Sequence, residues 1–300
     1  MNDKRSAVEP RKTVLVTAGY GNQARAAVPR LTAAGFHVRA MRRVDRPGPG
    51  PNELGAREVV IGDACSASDA YAAMDGVDAV YHVGPSFHPR ELEMGLNMID
   101  QAKCAGVKHF VFSSVLHPTL SGLPQHTIKR DIEERLLESG LNFTILQPSD
   151  YMQMTALGMV PAQNLFLLGW DLEKRQALID LDDVAEVLVK VLNEGAPHFG
   201  ATYELSSENL SGNEIAQCLS RVFGRPFGAV RFQHTYDPIP EIFGHYDEAH
   251  SRHQMHVFRI VNEWYDQHDF IGNSSVLRML LGRNPTSLAD FVRKRFDSRP

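Results

Sequence analysis

The sequence predicts an α/β fold, with a doubly wound parallel sheet in its first half and a smaller lobe in its second. Three observations carry this. A strand–turn–helix–strand pattern fills Lys12 to Arg43. Short apolar runs then alternate with helix-length segments as far as residue 155. Beyond that point the alternation loses its regularity. Strands alternating with helices, joined by right-handed crossovers, specify a parallel sheet.

The first strand is Thr13-Val14-Leu15-Val16-Thr17, an apolar β-prone run. A small-residue turn, Ala18-Gly19-Tyr20-Gly21-Asn22-Gln23-Ala24, leads into a helix that Gly35 closes. Phe36 to Met41 is the second strand and ends in Arg42-Arg43. Residues 44–55 hold three prolines and three glycines and read as a loop. Glu58 to Ile61 is the third strand, followed by Gly62-Asp63 and a helix from Ser66 to Met74. A fourth strand lies within Gly76 to Pro85, with Val83-Gly84 at its end. A helix over 88–105 stops at Gly106, and Val107 to Phe112 is the fifth strand, ending in Ser113-Ser114. Gln125 to Ser139 is helical and stops at Gly140; Asn142 to Leu146 is the sixth strand, followed by Gln147-Pro148-Ser149-Asp150-Tyr151-Met152.

In the second half, Ala177 to Leu181 and Thr202 to Leu205 are strands, and Asp182-Asp183 is placed to cap a helix over 184–193. Ser211 and Glu214 have capping-box spacing. Residues 238–270, rich in histidine and aromatic side chains, are expected as helices over the sheet's carboxyl edge. A Ser/Thr start at 286–287 opens a last amphipathic helix. These pieces give residues 11–155 as a Rossmann-like nucleotide-binding core. Residues 156–300 become mostly a substrate lobe, with 177–206 returning to the core sheet.

Composition narrows the function. An apolar fraction of 43% and a charged fraction of 22% are those of an ordinary globular protein. A net charge of −5 gives no electrostatic reason to bind nucleic acid or a membrane surface. Residues 1–11 are polar and read as a frayed tail without a signal pattern. No apolar run approaches the roughly 18–20 residues of a membrane span. Cys65, Cys104 and Cys218 form neither a disulfide framework nor a zinc spacing, which points to a reducing, cytoplasmic setting.

The turn after the first strand is the first candidate site. Backbone N–H groups of Gly19, Tyr20, Gly21, Asn22 and Gln23 converge at a helix N-terminus, where a pyrophosphate finds donors and the positive end of the dipole. Ala24 satisfies the small-residue requirement for helix–strand packing. Ala18 is the weak point, because a Cβ opposes any positive φ there. A sheet of this kind that holds no nucleotide is the alternative. Arg42 and Arg43 lie where such sheets sort their cofactors, and arginine suits a 2′-phosphate. Asp63 can accept from an adenine amino group or serve the following helix. Val83, Gly84 and Pro148 end strands on the nicotinamide side. His245, His250, His253 and His256 drift off one helix face and lack cysteine partners, so they predict an aromatic wall and no metal site.

VLVTAGYGNQARAAV, VVIGDACSASDAYAAMDGVDAVYHV, AGVKHFVFSSV, HTIKRDIEERLLESGLNFTILQPSDYMQ, IDLDDVAEVLVKVL and LLGRNPTSLADFV together resemble the NmrA-like family, an atypical branch of the short-chain dehydrogenases/reductases. They span nearly the whole chain. The resemblance implies NADP(H), a small-molecule substrate and a role in specialised metabolism, and it allows a homodimer. It also implies a range of activities: NADPH-dependent reduction of a carbonyl, imine or conjugated substrate, non-redox cyclisation or isomerisation, or NADP(H) sensing. Lys129 matches the superfamily's ribose-holding lysine. The tyrosine expected four residues earlier is Gln125, which leaves the proton donor open. His126, one helical turn from Lys129, and Tyr151 are the substitutes, with Ser114 as the polarising hydroxyl.

Overall fold

The computed structural model describes residues 12–43, 50–232 and 248–297. The first half runs β1 (Thr13–Val16), α1 (Asn22–Ala33), β2 (His37–Arg42), β3 (Glu58–Ile61), α2 (Ala67–Met74), β4 (Ala79–Val83), α3 (Glu91–Cys104), β5 (His109–Ser113), α4 (Pro124–Glu138) and β6 (Phe143–Pro148). The second half holds β7 (Asp150–Tyr151), α5 (Met152–Thr155), β8 (Met159–Val160), β9 (Leu165–Leu168), β10 (Arg175–Ile179), α6 (Leu181–Glu194) and β11 (Ala201–Leu205). It continues through β12 (Glu208–Ser211), α7 (Gly212–Phe223), β13 (Gly228–Arg231), α8 (Glu248–Gln267), α9 (Ser275–Leu281) and α10 (Leu288–Asp297). The polar tail 1–11, residues 44–49 of the Pro/Gly loop and residues 238–247 of the His- and aromatic-rich stretch, His245 included, lie outside the described residues.

Seven strands form the central sheet in the order β3-β2-β1-β4-β5-β6-β11. Every pairing in it is parallel. The strand order reverses between β1 and β4, the position beyond whose carboxyl ends sheets of this kind bind their ligands. All residues of β4 and β5 are buried, as central parallel strands covered on both faces require. Val14, Val16 and Tyr81 face one layer with α1 and α6, and Leu15, Val80 and Phe112 face the other with α2, α3 and α4. Alternation along each strand divides the two cores.

Helix ends follow local chemistry. Gly35 at φ +92 ends α1, with Phe36 N bonded to Leu31 O and Gly35 N to Thr32 O, a Schellman closure. Ser211 and Glu214 make the full capping box of α7. One cap differs from expectation: Asp180, whose side chain accepts from Asp182 N, caps α6. Asp183 is instead buried and receives Arg283 and Thr286.

The 177–206 stretch divides. β11 joins the main sheet beside β6 and α6 packs over α1, whereas β10 pairs with β7 and β12 in a separate three-stranded sheet. A second small sheet, β13-β9-β8, packs with α7 and α10 around Phe166, Ile215, Leu219 and Phe291. The α8 helix presents Val257, Val261 and Tyr265 to Leu116, Leu123 and Phe270 above the carboxyl ends of β5 and β6.

Candidate active site

The glycine turn is shaped by close approach. Gly19 N bonds Met41 O at 2.9 Å, and a Cβ at Gly19 would lie 3.1 Å from Pro51 Cγ and 3.2 Å from that carbonyl. At Gly21 an added Cβ would stand 3.1 Å from Ala18 O. Ala18 itself sits at φ +52, the left-handed conformation that its methyl disfavours. Gly21 is the N-cap of α1, with no side-chain cap and no acid in the first turn. The N–H groups of Gly19 and Gly21 are taken by Met41 O and Ala18 O, so the donors this helix start offers are those of its first turn, Asn22 to Ala24, which have no intrahelical acceptor and fit a pyrophosphate. At the end of β2, Arg42 lies over the Tyr20 ring, 5.1 Å from its centroid, and donates from Nη1 to its hydroxyl. Arg43 is exposed. Asp63 Oδ1 accepts from Cys65 N at 2.9 Å, a local turn, and Ser66 caps α2.

The other candidate residues form separate groups. On the α1 face, Gln23 is a hub. Its Nε2 donates to Tyr151 Oη at 2.7 Å, and its Oε1 accepts from Ser113 Oγ at 2.8 Å and from Tyr81 Oη. Burial pushes the Tyr151 phenol far above its ordinary range, so it keeps its proton at neutral pH.

Lys129 belongs to the α3/α4 face. Its Nζ lies 2.7 Å from Glu91 Oε1, with side-chain exposures of 9% and 0%, and 5.3 Å from the Phe112 ring centroid. Gly84 is fitted against this pair, since a Cβ there would stand 2.8 Å from Glu91 Oε1. Burial raises the Glu91 pKa and Lys129 opposes the rise. His82 stacks on Phe112 at 5.8 Å, and burial with the Lys129 charge lowers its pKa to about 3. Val83 is fixed through its backbone, its N–H donating to Thr17 Oγ1 at 2.7 Å.

Ser114 is buried next to Glu133, whose pKa burial raises while the Ser114 and Gln147 side chains oppose the rise, and so points away from the Gln23 hub. His126 is buried too, its ring edge-on to that of Phe270 with centroids 5.8 Å apart. Its Nδ1 donates to His117 O at 2.9 Å, and burial lowers its pKa to about 4. Pro148 is buried in β6, its carbonyl accepting from Leu116 N at 2.9 Å.

Sequence reasoning missed Gln23 as a hub, Glu91 as the partner of Lys129, and Asp150. Asp150 accepts from Tyr265 Oη at 3.1 and 3.4 Å, and burial raises its pKa to about 7. Its position in the QPSDYM loop was the only available signal. Around Tyr265 stand Trp170 (ring centroids 5.1 Å), Trp264 (5.5 Å) and Phe270 (5.8 Å), an aromatic wall above the carboxyl edge. Among the described residues, no group of three or more His, Cys, Asp or Glu is arranged to hold a metal. None of their helices is long and apolar enough to cross a membrane.

Comparison with known proteins agrees with this architecture. The NAD(P)H azoreductase of Xenophilus azovorans is 31% identical over 225 residues, covering 71% of this chain and 74% of that one. The solved structure of NmrA, a negative transcriptional regulator, in complex with NADP superposes with a TM-score of 0.77 at 21% identity, covering 96% of each chain. A quinone oxidoreductase from Escherichia coli complexed with NADPH gives 0.73 at 20% identity, over 94% of this chain and 99% of that one. The NmrA-like family model matches residues 10–291, and the chain belongs to that family.

Proposed function

We propose that this protein is an NADPH-dependent reductase of a small apolar or aromatic carbonyl, imine or conjugated acceptor. One observation carries the reading: the uncapped start of α1, with its close-packed Gly19, opens onto the same sheet edge as the aromatic wall of Trp170, Trp264, Tyr265 and Phe270. Gly19, Tyr20, Gly21, Asn22 and Gln23 would hold the pyrophosphate, and Arg42 and Arg43 a 2′-phosphate. Val83, Gly84 and Pro148 would border the nicotinamide, which supplies a hydride when bound. The azoreductase and the quinone oxidoreductase, named as NAD(P)H and NADPH enzymes, support the same chemistry.

The test is direct. Purified protein is titrated with NADPH and with NADH, and loss of NADPH absorbance is followed with quinone and azo acceptors. Tighter binding of NADPH and its consumption are expected. Turnover without cofactor consumption sinks the redox reading. A second reading, an NADP(H) sensor without turnover, draws on Gln125 in place of the tyrosine and on His126 being tied to a backbone carbonyl. Tight NADPH binding without consumption across the acceptor panel would favour it.

A further inference from the structure

The proton donor that Gln125 cannot supply has a candidate elsewhere in the fold. Asp150 leaves β6 two residues after Pro148 and enters β7, where it lies opposite Leu178 of β10. Its carboxyl receives the Tyr265 hydroxyl from α8, 115 residues away in sequence. Tyr265 is buried against Trp170, Trp264 and Phe270, while Asp150 and both tryptophans retain partial exposure. Polar atoms around this cluster await partners. Trp170 Nε1 and, one helical turn before Tyr265, Asn262 Oδ1 are buried with no hydrogen-bond partner among the described residues, and Asn262 is more than nine-tenths buried. Orphaned polar groups beside an aromatic surface are what a flat aromatic ligand with one or two heteroatoms would satisfy.

We propose that this aromatic cluster receives a flat conjugated acceptor, and that Asp150, held by Tyr265, gives the acceptor its proton. The inference rests on the reductase reading. NADPH is the reductant: one hydride, carrying two electrons, bonds to the electron-poor atom of the acceptor's C=O, C=N or N=N group. The π pair of that bond moves to the heteroatom, which takes the proton as the Asp150 O–H bond breaks. The carboxylate left behind is reprotonated from water, and NADP+ is released. The titratable groups bearing on Asp150 are Tyr265 from α8 and Tyr151 beside it. No Lys, Arg or His among the described residues is an ion-pair partner of Asp150. Burial without a counter-ion raises its carboxyl to about 7, so the protonated form a general acid needs is well populated at neutral pH.

The sequence contains two tryptophans, Trp170 and Trp264, and both stand at this cluster. His268 stacks on Trp264 at 4.7 Å and would add its own titration, so Trp170 fluorescence is followed in a Trp264→Phe background. A transition near pH 7 is expected there. Asp150→Asn should abolish it, and Tyr265→Phe should move it to higher pH because the Tyr265 hydrogen bond favours the carboxylate. With NADPH and menadione, Asp150→Asn should lower kcat by about 10²- to 10³-fold. The wild-type rate should fall as pH rises through 7. An unchanged fluorescence titration in Asp150→Asn, or a kcat within threefold (roughly, against the expected loss) with the same pH profile, overturns the proposal and leaves the reductase reading standing. If the wild type consumes no NADPH with any acceptor, the reductase reading and the proton-transfer role fall together. The fluorescence titration then still decides whether Asp150 titrates near pH 7.

Discussion

Glu91→Gln gives the sharpest test of how Lys129 is held. The two charges lie 2.7 Å apart, Glu91 fully buried and Lys129 nearly so. At an effective dielectric near 20 their attraction is about 6 kcal/mol. Desolvating each ion costs several kcal/mol, so the pair as a whole adds little to stability. Removing only the carboxylate charge is different, because Lys129 would stay buried without its counter-ion. Such a loss costs about 3–5 kcal/mol. Lys129 keeps Ser113 O at 3.4 Å and the Phe112 ring, which places the expected cost near the lower figure, about 3 kcal/mol. In a chain of this size that lowers Tm by about 5 °C. Urea unfolding followed by far-UV circular dichroism measures it, with the double variant Glu91→Leu/Lys129→Met as the control. The double variant should return to within about 1 kcal/mol of wild type, since an apolar pair replaces the ion pair. If Glu91→Gln loses less than about 1 kcal/mol, or the double variant falls as far as the single, Glu91 is not the counter-ion that keeps Lys129 in place.

Gln23→Leu removes the amide that joins Tyr81, Ser113 and Tyr151, and should cost about 2–3 kcal/mol by leaving buried hydroxyls unpaired, read from the same urea curves. Ala18→Gly should be neutral or stabilising by up to about 1 kcal/mol in thermal melts, because relief of the positive φ is partly offset by glycine's greater unfolded-state entropy. His82 is neutral in the fold, with its pKa lowered to about 3, so its contribution is complete above the unfolded value near 6.5 and drains away as pH falls toward 3. The urea midpoint should therefore drop between pH 7 and pH 4. His82→Phe should flatten that slope by about one proton, and an unchanged slope would show that His82 is not the group responsible.

What the sequence made legible was local. Apolar β-prone runs marked the buried strands, glycines marked helix ends, and the residue type at 18 foretold a conformational conflict that φ +52 displays. The Asp182-Asp183 cap was misplaced because Asp180, Asp182 and Asp183 are all competent caps, and tertiary contacts with Arg283 and Thr286 claim Asp183. The small sheets were illegible for a different reason. Strands of two residues such as β7 and β8 are too short to show any period. Their pairing is instead imposed by packing.

The site is less legible than the fold because sequence order alone does not separate residues that share a strand end. Ser113, Ser114, Lys129, His126 and Tyr151 all follow the carboxyl ends of β5 and β6 in sequence, which suggested a single constellation. Successive strand residues, however, point to opposite faces. Ser113 turns to Gln23 and Tyr151 under α1, whereas Ser114 lies by Glu133, and Lys129 meets Glu91 and Phe112 under α3 and α4. The sheet itself separates them. A group acting on a ligand above the edge has to reach it from beyond the strand ends, where the loop carrying Asp150, the helix carrying Tyr265 and, against Phe270, His126 of α4 all lie. The meeting of Asp150 and Tyr265 depends on a contact across 115 residues, which no local pattern encodes. We assign the work of the tyrosine absent at position 125 to this pair, assembled from the edge of the core and the α8 wall, rather than to His126, whose ring lies 5.8 Å from that of Phe270 with Nδ1 tied to His117 O, and Asp150→Asn tests that assignment.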